Sequence, residues 1–544
     1  MSLFKKINAI SDNDKVRKAW FGLAVAVFVC LIIVPSIFVV TKLLTEWGVV
    51  SDTLGNSEIM SLIYGAVGNS FSIAFIVTII DIIVGIPMAW IFVRKNFKGK
   101  KYLDTLMDMP LAFPTAVLGI SVVIFWGVPA DGVTIPGLGL VVSPYMMMIM
   151  LHIIFTYPYM VRSLSAILEQ IEPNYETAAM TLGASRFTAV RTITLPLFRA
   201  GLVTGFILCF ARSLSETGGT YIALTLMGDE TTFFTGPTFI AFMKEMDPSV
   251  ALGPMIVISV IMIVLALILL LLVKRIMIRI KLPVIKVWPS IGRKLSNGIA
   301  PKLKDIVSIG FLMLVVLLPA FYIFAYLTQP ILNIDYGQLL SSTGMSFLVA
   351  GVAVVFDIIF GIPVALYIAR HRHTKMGQLL DNLVNIPLII PTTALGFSLA
   401  LFWGSLGTGG IISVILVILG HISFTYPLVV RNITGAVEEV DPSYEEVAMT
   451  LGAKPLQAFS KVLMPIIKSS IIAGAILAFT RSLGETGATI AITSDVNTVP
   501  VYITELISSG SYSEAAICSI ILILICFVFM FAVRAVTHRG DKSA

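Results

Sequence analysis

Along this chain, apolar residues gather in blocks of about twenty, separated by short polar stretches. Twelve blocks can be drawn, near 20–44, 64–93, 110–128, 138–161, 196–223, 249–273, 303–328, 345–369, 386–406, 411–430, 465–490 and 514–535. A run of that length predicts a helix able to cross the hydrocarbon core, where the backbone must satisfy its own hydrogen bonds. The expected fold is therefore all-α and polytopic, with about twelve transmembrane helices.

The polar connections fall into two alternating sets. One carries Arg94, Lys95, Lys98, Lys100 and Lys101, then the basic stretch from Lys274 to Lys304, then Arg370, Arg372 and Lys375. The other, near 45–63, 224–248, 329–344 and 491–512, has Lys244 as its one clear basic residue and carries acids such as Glu46, Asp52, Asp229, Glu230 and Asp335. Basic residues mark the cytoplasmic side, so both termini are expected there, in a multi-pass protein of the cell (plasma or inner) membrane. Lys5 and Lys6 before the first block read as an uncleaved anchor, because the run is long and lacks a small-residue cleavage site.

Composition agrees. Of 544 residues 57% are hydrophobic and 12% charged, against about 25% charged in a soluble domain. The net charge of +6 follows the topology and does not suggest nucleic acid; the partner it implies is the lipid membrane. Cys30, Cys209, Cys518 and Cys526 lie inside apolar blocks without metal-ligand spacing, so neither a disulfide framework, a metal site nor a cofactor is indicated.

The chain repeats itself. Residues 155–187 and 424–456 align without a gap, with 16 identities in 33 positions. "RSLSETGGT" from Arg212 and "RSLGETGAT" from Arg481 keep the same offset of 269. "DIIVGIP" from Asp81 matches "DIIFGIP" from Asp357 at offset 276, and "PTAVLG" from Pro114 matches "PTTALG" from Pro391 at 277. About eight extra residues around "PADGVTIPG" account for the change. The expected organisation is two six-span units in parallel orientation: 1–275 and 303–544, joined by a basic cytoplasmic linker, 276–302.

Each repeat has a polar connection of about thirty residues on the basic side, 162–195 and 431–464, containing "NYETAAMTLGAS" and "SYEEVAMTLGAK". Ser443 and Glu446 have capping-box spacing, and Asn174 suits an N-cap. Gly183 and Gly452 suit left-handed helix ends, and Pro455 suits the first turn of a second helix. A short helix with apolar residues outside the membrane reads as a docking knob for a protein or as an interfacial helix.

These stretches resemble the E-A-A-x(3)-G-x(9)-I-x-L-P loop of ABC importer permeases. Glu176, Ala179, Gly183, Ile193, Leu195 and Pro196 match it; in the second copy Glu445, Ala448, Gly452 and Pro465 match, with Val462 and Met464 departing. The resemblance implies that Glu176, Ala179, Gly183, Glu445, Ala448 and Gly452 belong to coupling helices. It also implies two copies of a cytoplasmic ABC ATPase as partners and an extracytoplasmic substrate-binding protein. The chain has no G-x-x-x-x-G-K-[ST] loop, so it is expected to be a transport subunit and not itself an enzyme.

Charges inside spans are candidate functional groups. Arg212 and Glu216 stand four apart in the fifth span, and Arg481 and Glu485 repeat them. With Thr220 and Thr489 they are candidate pore residues facing the seam between the units; the alternative is a packing ion pair. Asp81 and Asp357 read as helix contacts or as part of a cation path. His152 and His421 read as interhelical hydrogen-bonding groups near the cytosolic span ends. "R-S-L-x-E-T-G" resembles the equivalent segment of sulfate and molybdate permeases, which implies an inorganic oxyanion (sulfate, molybdate or tungstate). Fusion of two units resembles ferric-iron and thiamine permeases, so these remain alternatives, as does a channel or secondary transporter without an ATPase.

Overall fold

A computed structural model describes residues 14–128, 137–279, 294, 296, 299–328, 334–404, 407 and 409–541. Most of the expected linker and of the extra segment around 129–137 lies outside them. Apart from one isolated bridge, Gly127 to Val141, the described residues form helices and their connections.

Eight helices are long and apolar enough to cross a membrane: Lys15–Ile37, Ser57–Arg94, Pro144–Gln170, Pro248–Val273, Ala300–Thr328, Tyr336–Arg370, Gly410–Glu439 and Pro455–Leu483. Three bent pairs, Lys100–Leu111 with Thr115–Trp126, Arg186–Leu197 with Gly201–Leu214, and Lys375–Ile389 with Thr392–Trp403, qualify as broken spans. The helix Tyr512–Asp541 occupies the last expected position. The chain is thus a polytopic helical membrane protein with about twelve spans.

Two expectations need correction. The blocks near 110–128 and 386–406 are not straight: the second bends by 105°. Pro114 and Pro391 force the preceding residue out of helix; Phe113 has ψ 131 and Ile390 ψ 129. The connections 224–248 and 491–512 are not simple loops either. They contain the helices Gly236–Lys244 and Val499–Ser508, with Phe239, Ile240, Val499 and Ile503 buried. These helices are too short to register as spans. Gly236 N donates to Ser70 Oγ (2.7 Å) and Val499 N to Ser346 Oγ (2.9 Å), which fixes each N-terminus against the long helix that precedes it in the repeat.

The chain divides into two compact units. Unit I is Asp52–Ile334 with Ile503–Ile520; unit II is Met1–Ser51, Asp335–Tyr502 and Ile521–Ala544. The units do not follow the sequence halves 1–275 and 303–544, because the first span of each repeat packs among helices of the other repeat. In unit I, Ser121 Oγ accepts from Ile323 N (2.8 Å) and donates to Pro319 O (2.5 Å). In unit II, Ser398 Oγ accepts from Val39 N (2.9 Å) and donates to Pro35 O (2.7 Å). Each serine hydroxyl is inserted between a carbonyl and the N–H four residues on, where a helical bond would otherwise form. A widened turn precedes each of these prolines, at Phe28–Ile33 and Leu312–Leu317. The ladder is already open there, and the serine closes it.

Ser121→Ala and Ser398→Ala should each strand a buried N–H, that of Ile323 or Val39, while Pro319 O and Pro35 O keep the N–H three residues on, at a cost of about 1–3 kcal/mol. Thermal unfolding of the purified permease should show a lower midpoint for each variant and a further drop for the double one. Unchanged midpoints would mean that the ladder reforms without the serine.

Candidate functional site

In each repeat the polar connection folds as expected into a short helix, a glycine turn and a second helix. The first helices are Pro173–Thr181 in unit I and Ser443–Thr450 in unit II. The ends are Schellman caps. Ala184 N donates to Ala179 O (3.1 Å) and Gly183 N to Met180 O (3.0 Å); Ala453 N donates to Ala448 O (3.0 Å) and Gly452 N to Met449 O (3.0 Å). Gly183 and Gly452 have φ of 90° and 91°, a region that penalises a Cβ. The alanine and glycine of the loop pattern are therefore the third residue from the helix end and the left-handed residue after it. Between them Leu182 and Leu451 are 89% and 83% exposed. Tyr175 and Tyr444 are exposed on the same helices.

The N-termini differ from expectation. Asn174 and Ser443 lie inside the helices, whose preceding residues are Glu172 and Pro442, and neither end carries a side-chain cap from these positions. A proline at the start, Pro173 or Pro442, shifts each boundary. In unit II Asp441 takes over, accepting from Ser443 N at 2.9 Å. That bond holds its carboxyl below the usual carboxylate range.

Glu176 and Glu445 do not project from the knobs. Glu176 is buried, accepts from Thr194 Oγ1 (2.7 Å) and lies 3.7 Å from Arg94, which also donates to Ile171 O (2.6 Å). Arg370 donates to Glu445 Oε2 and Val440 O, both at 2.8 Å. One arginine at the end of the second helix of each repeat thus ties the knob glutamate to the last turn of the fourth. Further in, Arg162 pairs with Asp104 and Asp108, and Arg431 with Asp381 and the Asn385 amide. Arg94 and Arg370 read from sequence only as topology marks, and Arg162 and Arg431 were not singled out; the recurrence of both pairs at the repeat offsets was the signal of a second role.

The fifth span is broken in both units. Helices Arg199–Leu214 and Gly218–Met227 meet at Ser215–Thr217, and Met464–Leu483 and Gly487–Ile492 meet at Gly484–Thr486. At each break the glutamate accepts from the next helix: Gly219 N to Glu216 Oε1 at 3.0 Å, Ala488 N to Glu485 Oε1 at 2.9 Å. Its other oxygen holds the arginine four residues back, Arg212 at 2.7 Å in the first repeat and Arg481 in the second. The guanidinium carbons lie 4.7 Å and 4.9 Å from the rings of Phe155 and Phe424, within cation–π range. The arginine side chains keep 13% and 15% exposure and the glutamates 2% and 4%.

Thr220 and Thr489, expected beside a pore, are fully buried. His152 Nε2 lies 3.0 Å from Thr220 Oγ1 and its Nδ1 2.7 Å from Ser213 Oγ; His421 makes the same pair of contacts with Thr489 and Ser482. The histidines are interhelical hydrogen-bonding groups, but they sit in the N-terminal half of Pro144–Gln170 and of Gly410–Glu439, not near the C-terminal ends. Each bridges both sides of the break. A Cβ on Gly119 would stand 2.4 Å from Gly219 O, and one on Gly396 2.6 Å from Ala488 O, so the helices Thr115–Trp126 and Thr392–Trp403 touch the far half of the broken span backbone to backbone. Among the described residues, no cluster of three metal-ligating side chains occurs.

The family model described as "Binding-protein-dependent transport system inner membrane component" matches the chain twice, over residues 81–282 and 361–541. The chain belongs to this permease family. Similar proteins include the sulfate transport system permease protein CysT of Salmonella typhimurium, 34% identical over 195 residues, which span 35% of this chain and 69% of the relative. CysT of Escherichia coli is 33% identical over the same length and shares. The probable transport system permease protein NifC of Clostridium pasteurianum is 30% identical over 211 residues, 36% of this chain and 73% of the relative. Both matched segments of this permease include a knob, a broken fifth span and the histidine that spans it.

Two outcomes follow from the site geometry. Arg212→Gln or Arg481→Gln strands a buried carboxylate and should cost about 3–5 kcal/mol, whereas Arg212→Gln with Glu216→Gln keeps the acceptor for Gly219 N and should recover much of the loss. Thermal unfolding of single and paired variants tests this; no recovery would break the ion-pair account. The Asp441 cap follows pH. Its folded value is lowered, so its contribution to the knob is complete above the ordinary carboxylate range and fades as pH falls through the lowered value. Amide exchange across Ser443–Thr450, corrected for intrinsic rates, should rise in acid in the native chain and respond less in Asp441→Asn.

Proposed function

We propose that this permease forms the translocation pathway of an ATP-driven importer whose cargo is an inorganic oxyanion of the sulfate, molybdate or tungstate class. The observation that carries the reading is the duplicated knob: its base is fully engaged by an arginine and its tip presents a leucine to solvent. An exposed apolar tip on a rigidly held base is built to enter a groove in another protein. The two tips are chemically alike, Tyr175 with Tyr444 and Leu182 with Leu451, which supports two copies of one cytoplasmic ABC ATPase. ATP hydrolysis then belongs to that partner. An extracytoplasmic substrate-binding protein would deliver cargo to the basic-poor side, with both termini cytoplasmic as the basic loops require.

The oxyanion assignment draws on the names of the sulfate permease relatives and on the break itself. Arg212 and Arg481 each stand beside the N-terminus of a helix segment, so positive potential gathers there, which disfavours a cationic cargo such as ferric iron. The glutamates moderate that potential, and moderate holding lets an ion leave as well as enter. A channel or secondary transporter would have no use for the knobs.

Gly183→Asp with Gly452→Asp places a Cβ and a charge at two left-handed positions, at a local cost of about 1 kcal/mol or more each. The variant should insert and fold, lose co-purification of its ATPase and lose uptake of radiolabelled sulfate or molybdate. Full ATPase retention would overturn the docking role. Wild-type uptake of ferric iron or thiamine, with none of either anion, would overturn the cargo.

A further inference from the structure

Two carboxylates stand outside everything described so far. Asp81 lies in Ser57–Arg94 and Asp357 in Tyr336–Arg370; both are fully buried. Among the described residues, neither is in an ion pair with a lysine or arginine. Asp81 Oδ1 has no hydrogen-bond partner, and neither oxygen of Asp357 has one. The polar groups around Asp81 are committed elsewhere: His152 to Ser213 and Thr220, Cys209 Sγ to Thr156 O, and Tyr157 Oη to Val84 O. In unit II, His421 is committed to Ser482 and Thr489, and Tyr426 Oη to Phe360 O.

The hydrogen count at Asp81 decides the state. Thr156 Oγ1 is 2.6 Å from Asp81 Oδ2 and 2.7 Å from His152 O. A hydroxyl has one hydrogen to give, and a carbonyl can only accept. Unit II shows where that hydrogen goes. Thr425 donates to His421 O at 2.7 Å, and neither oxygen of Asp357 has a hydrogen-bond partner. With the threonine hydrogen on the carbonyl, the short contact at Asp81 needs a second hydrogen, and the carboxyl group is its source. An ionised carboxylate in either position would be a buried charge with at most one donor, an arrangement that a protein core does not sustain without compensation.

We propose that Asp81 and Asp357 are neutral carboxylic acids in the folded permease, and that Asp81 is a positioning residue that joins the second helix of its repeat to the fourth, whose histidine grips the broken span. Asp81 is then a hydrogen-bond donor, and neither acid is a step in a cation path. The acids then add no uncompensated charge to the polar surroundings of the Arg212–Glu216 and Arg481–Glu485 pairs.

The test is infrared spectroscopy of the purified permease, comparing wild type with Asp81→Asn, Asp357→Asn and the double variant in water and deuterium oxide. The carbonyl-stretch band of a protonated carboxylic acid should fall in each single variant and fall further in the double, with no matching loss of carboxylate bands. The Asn variants, which keep a neutral donor, should unfold at the wild-type temperature, and Asp81→Leu should unfold lower. Loss of carboxylate bands in place of the acid band would overturn the proposal. So would destabilisation by Asn equal to that by Leu. If the Leu variant does not fold, the spectra of the Asn series still decide, and none of these readouts depends on the cargo or on the ATPase.

Discussion

In hydrocarbon a backbone group that leaves the helical ladder must find another partner within the protein. This requirement explains most of the polar chemistry inside this permease. Where the fifth span breaks, a glutamate takes the first free N–H of the next segment and an arginine balances the glutamate. Where the first span of each repeat opens its ladder before a proline, a serine from a neighbouring helix closes it. The charge and the hydroxyl are consequences of broken helices before they are anything else. Function has to be built on that arrangement, and an arginine already clamped at a break is rigid, oriented and only slightly exposed.

The knobs follow a related rule outside the hydrocarbon. A lever transmits force only if its base is stiffer than its contact. Arg94 and Arg370 join the knob glutamate to the last turn of the fourth helix, so under the proposed docking a push on Leu182 or Leu451 would reach that helix. The fourth helix carries His152 or His421, which holds both sides of the broken span. Within each unit there is thus a continuous physical connection from knob to break, made of one ion pair, one long helix and one histidine.

Much of this was legible in the sequence because the chain states it twice. Repetition of charged residues within apolar blocks separated Arg212, Glu216 and Asp81 from chance, and the pairs Gly183/Gly452 and His152/His421 read correctly as a left-handed turn and as helix contacts. What the sequence hid was direction and partner. Glu176 and Glu445 are on the knob helices but point back into the protein, because a helix of two turns has a buried face that its length cannot reveal by periodicity. Thr220 and Thr489 follow a break, and only the fold shows that a histidine already occupies them. The spans expected near 110–128 and 386–406 are there but bent at Pro114 and Pro391, whose effect on the preceding residue the apolar length did not reveal. The helices Gly236–Lys244 and Val499–Ser508 were lost for the opposite reason, being too short to look like membrane structure.

The exchange of first spans has a consequence for how the chain reaches this structure. Helix Ala300–Thr328 is made after its partners in unit I, and Ser121 is waiting when Pro319 arrives, 198 positions later. Helix Lys15–Ile37 is made before its partners in unit II, and its serine is 363 positions away. Until residues beyond 392 are inserted, the opened ladder at Pro35 has no hydroxyl to close it, and Phe28 has no Tyr426 to stack on. Contacts so distant in sequence form late and slowly. The amino-terminal span therefore has to persist in the bilayer on its own apolar length, which at a mean hydropathy of 2.5 over its best window it has. Covalent fusion of the repeats serves this step directly. It keeps the two exchanged helices at high effective concentration near their partners, so each unit is completed by its own chain.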